Sequence, residues 1–216
     1  MTWEVGQYVG VFARGAAITI WISWLGLILG GLVGAVIAAA RTSRWAVLRV
    51  LAVAYTELFR SIPILVLLFF VYFGLPFVLN LNLSPFGAAT IALMLEASSM
   101  MAEVVRAGIQ SVGRGQWEAA LSSGMHGSQA MRYVIGPQAI RVMLPPSVGV
   151  YIATLKDSSL AAIIGYVELT KTGLLVREST GDSFFVLLVV ATLYFVINYT
   201  ISLGGVALER KFSFAH

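Results

Sequence analysis

Three ionisable residues stand where an apolar sequence should not carry them. Lys156 and Asp157 interrupt one apolar region, and Glu96 follows Leu93-Met94-Leu95 inside another. A charge near the centre of a bilayer is unfavourable by roughly 3 kcal/mol on insertion scales, so such groups face a wet interior or a partner charge. Both signs are present, which suits a zwitterion that binds briefly and leaves. A small polar cavity between the third and fourth apolar segments is expected, lined by Lys156, Asp157 and Glu96, with Ser98 on the same path. The structural alternative is an ion pair that merely shapes a helix end. Glu57 and Arg60, and again Glu103 and Arg106, are three apart, the spacing of a local ion pair on a helix. Met94, Met100 and Met101 read as packing.

Other chemistry is poorly represented. There is no cysteine, and the two histidines, His126 and His216, are too separated to suggest a metal site. No G-x-x-x-x-G-K-[ST], H-E-x-x-H or G-x-S-x-G run occurs. Asp157 and Asp182 are the only aspartates, and neither sits in a typical motif of an intramembrane protease. If the chain moves a solute uphill, the energy must come from a partner.

The elements that would position these residues are membrane spans. The chain is 59% hydrophobic and 11% charged, far from the roughly 25% charge of soluble domains. An all-α membrane fold of about five spans is expected, at about 15–40, 61–79, 86–109, 137–155 and 183–208, in one domain of residues 1–216. Arg14 precedes an apolar stretch running to Ala40, longer than a signal-peptide core, so a retained first span is expected. Gly26, Gly30 and Gly34 are four apart, which lets another helix approach closely, and packing within the chain is the expected use. Pro63 should lie near the start of the second span, where its missing N–H costs least. The stretch from Glu168 to Asp182 is expected to be a polar external connection.

The net charge of +4 reflects orientation rather than nucleic-acid binding. Ten Lys/Arg fall on one side: Arg41, Arg44, Arg49, Arg60, Arg106, Arg114, Arg132, Arg141, Arg210 and Lys211. Arg14, Lys156, Lys171 and Arg177 fall on the other. The richer side is expected to be cytoplasmic, with the N-terminus outside and the C-terminus inside.

The loop of about 110–135 has no strong spanning signal. Glu118 is expected in the first turn of a short helix, where the dipole favours it. Ala119 and Ala120 give that helix a smooth side, and Gly124 can end it in a left-handed conformation. A second short helix is expected from Ser128 to Ile135. Two short cytoplasmic helices suggest a docking element, with an interfacial loop on lipid headgroups as the alternative.

In this loop Glu118-Ala119-Ala120 and Gly124, with Val134 and Pro137 further on, resemble the hallmark E-A-A-x-x-x-G motif of the permease subunits of ATP-binding-cassette importers. Tyr55-Thr56-Glu57-Leu58-Phe59-Arg60-Ser61-Ile62-Pro63 and Tyr72-Phe73-Gly74-Leu75-Pro76 are similar to motifs of the polar amino-acid branch. Lys156-Asp157-Ser158-Ser159-Leu160 and Glu168-Leu169 continue the likeness, which runs almost end to end. His126 stands where the family often has serine, which leaves Ser128 as the expected cap of the second loop helix. Gly136 replaces a leucine, and Ser98 and Met100 replace a common glycine and tyrosine.

The resemblance implies a type I importer permease in a bacterial cytoplasmic (inner) membrane, taking up a polar amino acid. It implies a second permease subunit, the same chain or another, two cytoplasmic ATPase subunits and an external solute-binding protein. ATP and Mg would be bound by the ATPase and no cofactor by this chain. Glu118, Ala119, Ala120, Gly124 and Arg132 would belong to the coupling loop. A passive channel or exporter subunit is the alternative, and it has no need of that loop. The orientation has a direct check. A single cysteine at position 122 in the cysteine-free chain should resist membrane-impermeant thiol reagents applied to intact cells, and labelling from outside would reverse the topology.

Overall fold

The computed structural model describes residues 5–212, and all regular structure among them is helical. We number the helices α1 (Val5–Arg41), α2 (Ala46–Ser61), α3 (Ile64–Leu79), α4 (Pro85–Ser111), α5 (Arg114–Ser122), α6 (Gly127–Ile164), α7 (Leu169–Thr180) and α8 (Ser183–Phe212). Helices α1, α4, α6 and α8 are each long and apolar enough to cross a bilayer. The second crossing departs from the single run expected over 61–79. It consists of α2 and α3, bent by 103° at Ile62-Pro63. Proline is the cause. It disfavours helical backbone in the residue before it, and Ile62 is extended at φ −83°, ψ 125°. Pro63 then opens α3, where its missing N–H breaks no helical bond.

The fourth crossing also differs from the expected 137–155. It begins ten residues earlier and runs through a π turn at Met131–Ile135, the proline pair Pro145-Pro146 and a closing 3₁₀ segment at Ser158–Ile164. Lys156 and Asp157 therefore fall where the helix tightens, and Gly165 at φ 87° ends it.

The glycine row on α1 is spent within the chain. A Cβ at Gly26 would stand 3.0 Å from the Leu93 side chain. One at Gly30 would meet Ala97 at 2.7 Å, and one at Gly34 would meet the Ser98 carbonyl oxygen at 2.7 Å. Removal of these side chains brings α1 backbone against α4 backbone. The absence of a hydrophobic driving force between helices in lipid makes such close packing the main source of association. At the end of α1 the same pair is tied by charge. Arg41 of α1 bonds Glu103 of α4 at 2.6 Å, and Arg106 bonds the same carboxylate.

Three apolar clusters fill the rest. One joins α3 and α4 through Leu67, Leu68, Val71, Ala88, Ala92 and Leu93. A second joins α1, α7 and α8 through Phe12, Leu169, Val176, Val186 and Val190. The third seats the loop between α4 and α6 through Val112, Ile135 and Ala139. Large apolar side chains remain outside, Phe77 at 91% and Phe184 at 80% exposure, as on a surface that meets lipid or a partner subunit.

The α1–α4 contact yields a prediction. Gly34→Val places its side chain against α4 backbone and should lower the midpoint of thermal unfolding in detergent, by overpacking worth about 1–3 kcal/mol. Gly31→Val is the control, because a Cβ there meets only the end of Met101 at 4.0 Å. Equal midpoints for the two variants would refute close α1–α4 packing.

Candidate functional site: a buried carboxylate, a polar groove and a two-helix loop

The stretch expected to be a polar connection from Glu168 is instead a packed helix, α7, with Glu168 wholly buried at its start. The reason lies in its bonds. The carboxylate accepts from the backbone N–H of Thr170 and of Lys171, both at 2.8 Å, from the Tyr194 hydroxyl at 2.9 Å and from the Thr19 hydroxyl at 3.3 Å. Thr19 accepts in turn from Leu169 N–H at 3.0 Å. One side chain thus caps α7 and fastens it to α1 and α8. A buried carboxylate is tolerated when its lone pairs are filled in this way. The sequence signal was its place ahead of an amphipathic run, the pattern of a helix cap.

The three expected pathway charges do not line one cavity. Lys156 is exposed in a groove of about 650 Å³ between α6 and α8, with Ser159, Thr170, Tyr194, Asn198 and Tyr199 in its walls. Neither Asp157 nor Glu96 borders this groove. Successive helical residues point about 100° apart, so Lys156 and Asp157 face different ways. Asp157 and Glu96, both partly buried, lie within electrostatic reach of each other. Among the described residues neither acid forms an ion pair, and Lys156 forms none either. Ser98 takes a different part from the one expected. It is fully buried, its hydroxyl is shared with Tyr55 at 2.7 Å, and it donates to the Leu95 carbonyl. It holds α2 against α4 rather than facing open space. Asn198, in the middle of apolar α8, was missed by the sequence reading. It donates to the Tyr194 carbonyl at 2.8 Å.

The charge pairs also part company with their spacing. Glu103 and Arg106 form the expected pair and recruit Arg41. Glu57 and Arg60 do not pair, and both side chains are exposed.

The loop of about 110–135 is built as two helices. Helix α5 begins at Arg114, so Glu118 sits in its second turn and not in the first as expected. Gly124 ends it at φ 83°. The N–H of Met125 reaches back to the Ala120 carbonyl at 3.2 Å, closing a helix end that favours glycine. The two alanines face opposite ways. Ala119 is exposed and Ala120 is buried, so only Ala119 contributes to an outward smooth face. The second helix is capped at His126, whose N–H donates to the Gln129 side chain at 2.9 Å. The cap expected at Ser128 is thereby displaced, because Gln129 supplies the reciprocal half of a capping box. The helix runs on into α6 without a stop at Ile135. Gln138 bonds Gln116 at 3.3 Å and fixes α5 to the foot of α6. Arg132 projects outward, stacked over Tyr133 at 5.6 Å. Among the described residues no three His, Asp or Glu side chains gather to hold a metal ion.

The loop presents Glu118, Ala119 and Leu121 on the surface while its inner side is anchored by Trp117, Val134 and Ile135. Through Val112, Ile135 and Ala139 the loop is packed between the end of α4 and the foot of α6.

Comparison with known proteins agrees with this geometry. Residues 26–214 match the family described as "Binding-protein-dependent transport system inner membrane component". The "Probable glutamine ABC transporter permease protein GlnP" of Bacillus subtilis (strain 168) is 35% identical over 208 residues, 95% of each chain. The "Glutamine transport system permease protein GlnP" of Escherichia coli (strain K12) is 35% identical over 204 residues, 94% of this chain and 93% of the relative. A chain from the "Crystal structure of an amino acid ABC transporter with histidines" superposes with a TM-score of 0.90 at 36% identity, covering 98% of this chain and 100% of that one. A chain of the inward-facing MetNI methionine ABC transporter shares the fold, with a TM-score of 0.80 at 20% identity over 99% of this chain and 100% of that one. The chain therefore belongs to the family of inner membrane components of binding-protein-dependent transport systems.

Proposed function

We propose that this chain is the permease subunit of an ATP-binding-cassette importer and forms the path by which a polar amino acid enters the cell. The observation that carries the reading is the docking loop. Helix α5 exposes Glu118 and Ala119, turns at Gly124 and is anchored to the feet of both α4 and α6. A passive channel has no use for such a lever. Amino-acid cargo is supported by the names of the relatives, which specify glutamine in two cases. It is also supported by charges of both signs within the spans.

The assembly we propose has this chain and a second permease, alike or different, around a central path. Two cytoplasmic ATPase subunits bind ATP and Mg and receive α5, with Arg132 beside it. A solute-binding protein delivers the amino acid from outside. The C-terminus faces the cytoplasm of a bacterial inner membrane and the N-terminus faces outward, which the distribution of Lys and Arg favours. Closure of the ATPases moves the two loops together and opens the path outward. Lys156 meets the cargo's carboxylate from the α6–α8 groove, and the Glu96–Asp157 pair attracts its ammonium from the α4–α6 side.

Two variants measured side by side test this division of labour. Gly124→Val forces a β-branched residue into a left-handed backbone, at a cost of about 1–2 kcal/mol for the turn. No atom outside the loop lies within 4 Å of a Cβ there. It should assemble and retain ATP hydrolysis but lose most coupled uptake. Lys156→Met should keep complex yield and basal hydrolysis and lose uptake by about tenfold, the scale of one charge-assisted hydrogen bond. Normal uptake by Gly124→Val would contradict the docking geometry. Full uptake by Lys156→Met at normal yield would remove the lysine from the path.

A further inference from the structure

The break between α2 and α3 packs beside the middle of α4. Tyr55, two residues before Glu57, bonds Ser98, which is the fourteenth of the 27 residues of α4 and hence its midpoint. Phe59, Ile62 and Ile64 pack on the cluster that Leu67, Leu68 and Val71 of α3 form with Ala88, Ala89, Ala92 and Leu93 in the first half of α4. Glu57, Arg60, Ser61 and Pro63 all stand exposed at that level. Among the described residues the Glu57 and Arg60 side chains make no hydrogen bond or ion pair. Their spacing had suggested a pair at the cytoplasmic interface. Their neighbours Tyr55 and Phe59 lie against the middle of α4 and the α3–α4 cluster, and both side chains are unpaired.

Two physical costs converge on this spot. A guanidinium or carboxylate facing hydrocarbon at mid-depth is strongly disfavoured. Non-helical backbone at that depth is tolerated only where protein buries it or where it lines a wet cavity. Neither feature is buried within this chain, so the α2–α3 break cannot face lipid. The remaining surroundings are the wet path and the second permease subunit. A guanidinium that met a fixed carboxylate of a neighbour would stay locked to it, with Glu57 beside it left to find a second partner. A zwitterion meets both at once, because Arg offers a planar fork to a carboxylate while the acid one helical turn away faces the ammonium.

We propose that Arg60 and Glu57, at the break in the second span, form a mid-membrane station for the transported amino acid, with Arg60 receiving its α-carboxylate and Glu57 its ammonium. This rests on the reading of the chain as an amino-acid importer subunit. The station is separate from the Lys156 groove. It lies on α2, whereas that groove lies between α6 and α8.

The absence of native cysteine permits a direct test. Arg60→Cys is assembled with its ATPase and binding protein in proteoliposomes, and glutamine uptake is measured. Uptake should fall about tenfold or more, as for loss of one charge-assisted bond, at normal complex yield. A methanethiosulfonate reagent carrying a trimethylammonium group should restore a large part of it, and a neutral reagent of similar size should not. Saturating glutamine should slow the modification severalfold. Undiminished uptake, modification indifferent to glutamine, or equal rescue by both reagents would overturn the proposal. Loss of complex yield in Arg60→Cys that Arg60→Lys repairs would assign the charge to a contact between subunits and would overturn it as well. Failure of the unsubstituted complex to import glutamine or any other polar amino acid would instead count against the importer reading itself.

Discussion

Inside a bilayer no water completes a hydrogen bond or hydrates a charge, and the architecture of this chain follows from where that demand is met and where it is left open. Glu168 shows the demand met. Its carboxylate takes donors from α7 backbone, from Thr19 of α1 and from Tyr194 of α8, so a charge that would be prohibitive alone becomes the fastener of three helices. Arg41, Glu103 and Arg106 do the same where α1 ends against α4. These fully satisfied groups are structural. The groups left open are of another kind: Lys156 in its groove, the Glu96–Asp157 pair, and Glu57 with Arg60 at the helix break. An unsatisfied charge in a membrane fold marks a surface that meets water, solute or another subunit.

The loop between α4 and α6 follows the same logic. Trp117, Val134 and Ile135 anchor its inner side, while Glu118, Ala119 and Leu121 remain outside. The continuity of α6 from Gly127 to Ile164 matters here. The helix that begins in the loop bears Lys156 and Asp157 near its far end. The π turn at Met131–Ile135 and the proline pair at 145–146 are the places in that helix where backbone bonds are already irregular, and bending would concentrate there.

Much of this was legible in the sequence, for identifiable reasons. Apolar run length gave the four unbroken spans, and the four-residue spacing of Gly26, Gly30 and Gly34 pointed to a close helix contact within the chain, for which the structure supplies α4 as the partner. Gly124 read as a left-handed helix end because few other residues adopt that backbone. The misses have physical causes too. Hydropathy is blind to direction, so the α2–α3 bend was read as a straight span from Ser61. Glu168 and its helix α7 read as an external polar stretch because a buried carboxylate is recognisable only once Thr19 and Tyr194, some 149 and 26 residues away in sequence, are seen to reach it. Lys156 and Asp157 were placed in one cavity with Glu96 because adjacency in sequence hides the turn between neighbouring helical side chains. Ser98 was assigned to the path on its position alone, and only the Tyr55 contact reveals that it is packed away.

The central claim is that this chain forms an amino-acid path opened by ATP hydrolysis in a partner. Proteoliposomes containing the purified permease with its ATPase, loaded with solute-binding protein inside and ATP outside, measure that claim directly by accumulation of radiolabelled glutamine. With the coupling loop facing outward in such vesicles, glutamine should concentrate in the medium from a preloaded lumen only when ATP is present and hydrolysed, and not with a non-hydrolysable analogue. Equal efflux with and without ATP, running down the gradient and stopping at equilibrium, would identify a passive channel and contradict the account.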